Sequence, residues 1–81
     1  MSAVKNAVVE RFKRLCKERG IAPNELANIS GVTPSTVYSL LDNKRKNVSI
    51  VTIKILCDGL GITLGEFFST PEFDNLYQEI E

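Results

Sequence analysis

The sequence predicts an all-α domain, on three observations. Apolar residues recur at helical spacing in one segment after another, beginning with Val8, Phe12 and Leu15 at i, i+4 and i+7. No segment shows the apolar–polar alternation of a half-buried strand. Helix-starting residues (Pro, Ser, Thr) precede the apolar segments, and Gly follows three of them, at Gly20, Gly31 and Gly61. A chain of 81 residues is enough for one compact domain.

The first helix is expected from about Val4 to Arg19, with Cys16 beside its apolar stripe and Lys13, Arg14, Lys17 and Glu18 pointing elsewhere. Gly20 stops it after a last turn that carries Lys17 and Arg19. Pro23 opens the second helix, where its missing N–H has no helical partner in any case. That helix holds Leu26, Ala27 and Ile29 and stops by Gly31. Thr33 has the character of an N-cap and Pro34 of a first-turn residue, so a third helix begins there. It turns Val37, Leu40 and Leu41 inward and ends near Asn43, before the polar loop Asn43-Lys44-Arg45-Lys46-Asn47. A fourth helix starts near Ser49, carries Ile53, Leu56, Cys57 and Leu60, and ends at Gly61. Thr63 caps a short fifth helix, with Glu66 in capping-box position. Thr70-Pro71-Glu72 opens a last helical stretch, where Phe73, Leu76, Tyr77 and Ile80 keep helical spacing. The expected organisation is a five-helix body over residues 1–68 and an acidic amphipathic extension over residues 69–81.

Charge is unevenly distributed. The formal net charge is zero, yet residues 1–63 carry +5 and residues 64–81 carry −5 with no Lys or Arg. A basic body can meet phosphate while an acidic tail stays off it. The same tail could instead serve solubility or meet a protein partner.

Other functions find little footing. With no His, a Ser or Cys nucleophile lacks its usual base, the carboxylates show no paired spacing, and no Gly-rich phosphate loop is present. No catalysis is expected. Cys16 and Cys57 sit in helical apolar patterns and read as small buried hydrophobes, so neither a disulfide scaffold nor a zinc site is expected, nor any other cofactor. No apolar run approaches the length of a membrane span, and the N-terminus lacks the features of a secretory signal, so a cytoplasmic location is expected.

The strongest signal lies in residues 23–42. Two short helices separated only by Ser30-Gly31-Val32-Thr33 must cross steeply and pack through small residues. Ala27 supplies the small side chain, and Gly31 can adopt the positive φ that ends the first of them. Leu26, Val32, Val37 and Leu40 close the corner from within. The stretch Leu26-Ala27-Asn28-Ile29-Ser30-Gly31-Val32-Thr33-Pro34-Ser35-Thr36-Val37 resembles the helix-turn-helix of phage lambda repressor and Cro proteins. Ile53 to Phe68 is similar to the fourth and fifth helices of small bacterial members of that family, so the resemblance spans roughly residues 4–68.

The resemblance implies a compact lambda-repressor-like fold and a bacterial or phage transcription regulator, in particular a repressor, acting on double-stranded DNA. The third helix would enter the major groove. Pro34, Ser35 and Ser39 would face base edges, flanked by Thr36 and Tyr38. Asn24 and Thr33, and the loop residues Lys44, Arg45, Lys46 and Asn47, would meet phosphates. Two departures from the family pattern stand out: Pro23 and Ala22 replace the Gln and the capping Ser or Thr found there in many members. The recognition helix also lacks the Arg, Gln or Asn that makes bidentate base contacts. The stripe Phe73, Leu76, Tyr77 and Ile80 has two open fates: folding back on its own domain, or pairing with a second copy in a homodimer. The rival reading is an antitoxin or protein-interaction module in which the helix-turn-helix serves mainly as scaffold.

Overall fold

A computed structural model describes residues 3–42, 44, 45 and 47–76. They form α1 (Ala3–Arg19), α2 (Pro23–Ser30), α3 (Pro34–Leu41), α4 (Ile50–Leu60), α5 (Leu64–Phe68) and the short α6 (Pro71–Asp74). No strand occurs among the described residues. The all-α reading holds, as does the order of elements.

The core draws on every helix but α6. Val8, Phe12 and Leu15 of α1 meet Leu26 and Ala27 of α2, Val37 and Leu40 of α3, and Ile53, Leu56 and Leu60 of α4, with Phe67 of α5 beneath. Cys16 and Cys57 are buried free thiols in this cluster, and burial pushes both upward in pKa. The ring of Phe67 lies 4.5 Å from that of Phe12, and Phe73 of α6 packs edge-on to Phe68 at 4.9 Å.

Helix ends follow the sequence closely. Gly31 takes φ 73°, a left-handed conformation that suits glycine. There Gly31 N–H donates to Asn28 O, and Val32 N–H donates to Ala27 O at 3.0 Å, which tucks Val32 against the core. At α5, Thr63 Oγ1 accepts from Glu66 N–H and Glu66 Oε1 accepts from Thr63 N–H, each at 3.0 Å. Ser49 Oγ accepts from Val51 N–H and caps α4.

The third helix stops earlier than its apolar pattern suggests. It ends at Leu41, because Asp42 is extended and its carboxylate accepts from Lys44 N–H at 3.0 Å. A local turn of this kind competes with helix continuation. Asn43 lies outside the described residues.

Two contacts tie the helix-turn-helix to the rest of the domain. α2 crosses α4 where Gly59 faces Ser30, so closely that a Cβ at Gly59 would stand 2.9 Å from Ser30 Cα. Lys5 of α1 is only 2% exposed, and its ammonium donates to Asp42 O at 3.1 Å and Arg45 O at 3.0 Å. A buried ammonium needs such acceptors. Lys5 thereby fixes the backbone that leaves the third helix.

Candidate nucleic-acid interface

The turn between α2 and α3 is short because Gly31 reverses the chain and Pro34 can restart a helix at once. The inner side of α3 is spent on the core through Val37 and Leu40, which leaves its hydroxyl-bearing side outward. Thr33, Pro34 and Ser35 are exposed, Thr36 and Ser39 are half-buried, and Tyr38 is 52% exposed.

Thr33 occupies the N-cap position, but its side chain caps no backbone amide. Its Oγ1 lies instead 2.9 Å from Ser35 Oγ and 3.2 Å from Thr36 Oγ1. Three hydroxyls thus cluster at the start of α3. Each can donate or accept, so the cluster can turn its hydrogen bonds toward phosphate or a base edge.

A groove of about 330 Å³ opens beside α3, lined on one side by Ser35, Thr36 and Ser39 and on the other by Arg45, Asn47, Ser49 and Thr52. The structure therefore brings Ser35, Thr36, Ser39, Arg45 and Asn47 together. It leaves Asn24, Thr33, Pro34, Tyr38 and Lys44 outside the groove on the exposed surface. Lys46 lies outside the described residues. Arg45 stands 4.0 Å from Asp42, an exposed pair that phosphate can compete for.

Ser49 and Thr52 were not anticipated from sequence. The signal was available: Ser49 is the N-cap of α4 and Thr52 lies in its first turn, shortly after the basic loop, where a helix start carries a partial positive charge. At the start of α2, Ala22 offers no capping side chain, and Glu25 compensates by accepting from Ala22 N–H at 3.0 Å. Asn24 is exposed beside it.

The extension bends back. Phe73 is half-buried against Phe67 and Phe68, Leu76 is half-buried, and Arg14 of α1 donates to Glu72 at 2.6 Å. Tyr77 and Ile80 lie outside the described residues.

Two short helices joined by a tight turn at Gly31, the second with an exposed polar side and followed by a basic loop, define a helix-turn-helix DNA-binding domain. Residues 11–72 match the Cro/C1-type HTH DNA-binding domain family, and the chain belongs to it. It is 35% identical over 72 residues to the control protein C.MunI of Mycoplasma sp, covering 89% of this chain and 97% of that one. It is 30% identical over 63 residues to the HTH-type transcriptional regulator PuuR of Escherichia coli, covering 78% of this chain but 34% of PuuR. The crystal structure of the prophage Lp1 protein 11 superposes with a TM-score of 0.80 at 28% identity, covering 94% of this chain and all of that one. The protein is a DNA-binding transcriptional regulator of this family. No helix among the described residues is long and apolar enough to cross a membrane.

Proposed function

We propose that this regulator is a cytoplasmic repressor that binds a short duplex operator, as a homodimer, with α3 in the major groove. Pro34, Ser35, Thr36, Tyr38 and Ser39 face the base edges. Asn24, Thr33, Lys44, Arg45, Lys46 and Asn47 hold phosphates. Ser49 and Thr52 extend the phosphate-facing wall. Residues 1–68 form the DNA-binding body, and residues 69–81 form an extension that begins by bracing α1. The reading includes no catalytic step.

One observation carries it: the hydroxyl-bearing side of α3 borders an open groove whose opposite wall holds Arg45 and Asn47. Hydroxyls and a proline ring give modest base discrimination, because none forms a bidentate base contact. Part of the operator preference therefore comes from DNA shape. The protein-interaction reading would leave this groove without a role.

Selection of bound duplexes from a random pool tests the proposal, followed by fluorescence anisotropy with the selected and scrambled duplexes. Enrichment of a sequence with two related halves about one helical turn apart is the expected result. Converting Ser35 and Ser39 together to Ala should narrow the gap between selected and scrambled duplexes by about tenfold. Salt-independent binding, or none, would overturn the reading.

A further inference from the structure

A second opening, of about 250 Å³, lies between α1 and the helix-turn-helix. Phe12, Cys16 and Leu26 form its floor, and Ile21, Pro23 and Leu41 form its walls. The floor residues are buried in the core, while the wall residues are half-buried. Burial raises the Cys16 thiol in pKa, so it stays neutral and brings no charge to the floor. The two remaining lining residues, Lys13 and Lys17, are exposed and stand at the mouth. An apolar pocket with a few convergent polar groups is the usual form of a small-molecule site.

We propose that this pocket binds a small amphipathic carboxylate, an aromatic or branched aliphatic acid, and that the bound acid loosens the protein's hold on DNA. The second half rests on the DNA-binding reading above; the first half stands without it. Three observations select this occupant.

The first is size. A cavity on the order of 150 Å³ holds a benzene ring, so this one takes a ring or branched chain with a short tail. A helix of another protein needs anchors spread over two turns or more, which this opening does not offer.

The second is charge. Phe12 and Cys16 form one i, i+4 row on α1, and Lys13 and Lys17 form the next. Two ammoniums therefore stand one turn apart beside an apolar floor. Like charges at that spacing repel, and a carboxylate between them relieves the repulsion. Lys17 makes no ion pair among the described residues. Lys13 has an exposed one with Glu10 at 3.6 Å, which an incoming carboxylate can displace.

The third is position. Leu41 is the last residue of α3, and Pro23 is the first of α2, directly before Asn24. A bound acid touches both helices of the motif and sets negative charge beside a helix start assigned above to phosphate. Duplex affinity should fall about fivefold when the pocket is full, and the duplex should weaken the acid by the same factor.

The test uses the full chain with phenylpropionate as probe and the neutral phenylpropionamide as its control, followed by methyl NMR and calorimetry. Phenylpropionate should bind with a Kd of about 1 mM, shifting the methyl signals of Ile21, Leu26 and Leu41. The amide should bind about tenfold more weakly. Both lysines are exposed, so the double variant Lys13→Gln, Lys17→Gln should keep the wild-type melting temperature, which is measured first. It should bind acid and amide equally. In anisotropy, saturating phenylpropionate should lower wild-type affinity for the selected duplex and leave the double variant less affected.

Equal binding of acid and amide by the wild type overturns the proposal, as does an acid whose shifts map to the groove beside α3 or one that causes none. Ile21 and Leu41 signals that move with protein concentration would give the pocket to a second copy. A contact between Ile21 and Ile80 in the free protein would give it to the chain's own end. Either result overturns the proposal. Binding here with duplex affinity unchanged overturns its regulatory half. If the acid binds here but the chain binds no duplex, the site stands and the DNA reading fails.

Discussion

Two sets of cations in this molecule do opposite work. Lys5 and Arg11 are turned inward, onto backbone carbonyls of their own chain. Lys5 holds Asp42 O and Arg45 O, and Arg11 donates to Phe67 O at 2.9 Å and Glu66 O at 3.1 Å with its guanidinium over the Phe67 ring. Arg45 faces solvent at the groove, and Lys44 is exposed just outside it. A surplus of basic residues in the first 63 positions thus mixes two roles. The inward pair builds the platform, and the outward pair is left for phosphate. Net charge cannot separate them; burial does.

The comparison breaks first at Lys5. Lys5→Met keeps the aliphatic bulk but leaves two carbonyls without their charged donor. Loss of about 3 kcal/mol of folding stability is expected, read from urea denaturation. DNA binding should fall as well in the folded fraction, because the backbone leaving α3 loses its anchor. A variant of unchanged stability would show the buried ammonium to be dispensable.

Arg11 should matter less, being only half-buried. Arg11→Ala removes the donors that satisfy carbonyls at the end of α5 and exposes part of the Phe67 ring. A loss of about 1–2 kcal/mol is expected in the same measurement. Arg11→Lys should recover only part of it, since an ammonium cannot reproduce the guanidinium fork.

The outward set should behave in reverse. Arg45→Ala should leave the unfolding midpoint nearly unchanged, because an exposed pair at 4.0 Å contributes little. It should weaken binding to every duplex and lower the slope of log K against log salt by about 0.9, one phosphate contact. An unchanged slope would remove Arg45 from the interface.

The inward pair also marks the limit of what the sequence disclosed. Helix periods, glycine stops and the capping box at Thr63 and Glu66 were legible because each depends on residues a turn or less apart. So was the corner at Ala27 and Gly31, whose small residues have few other uses. Lys5 was passed over because lysine is usually solvated, although it stands three and four residues before Val8 and Val9 on the buried stripe. Its acceptors lie about forty positions away, and no local pattern announces a contact at that separation. Ser49 and Thr52 come shortly after the basic loop, but that they share a groove with Ser35 and Ser39 is a contact between helices that no local pattern states. Gly59 likewise carries no local sign of its close approach to Ser30.

Arg14 lies between the two sets and offers the smallest test. It is exposed like Arg45, yet its guanidinium is engaged by Glu72 of α6, and the hydrogen bond from Arg14 holds that carboxyl down to a pKa of about 2. An unfolded Glu titrates near about 4.3. Because the folded value is the lower one, the contribution of this tether is complete above the unfolded value and is lost as pH falls toward 2. Both partners are solvated, so the effect on global stability is small at neutral pH. Its local signature is sharper. A carbon-detected NMR titration of the Glu72 carboxyl should show a midpoint well below the ordinary Glu range, with the amides of residues 71–74 shifting in the same window. Arg14→Gln should raise the midpoint but not fully to the free value, because hydrogen bonds from the Glu72 backbone and Thr70 still favour the carboxylate, while duplex binding stays intact, as befits a cation already committed within its own chain. A midpoint near 4.3 in the wild type would release Arg14 from α6 and place it with Arg45 among the cations open to phosphate.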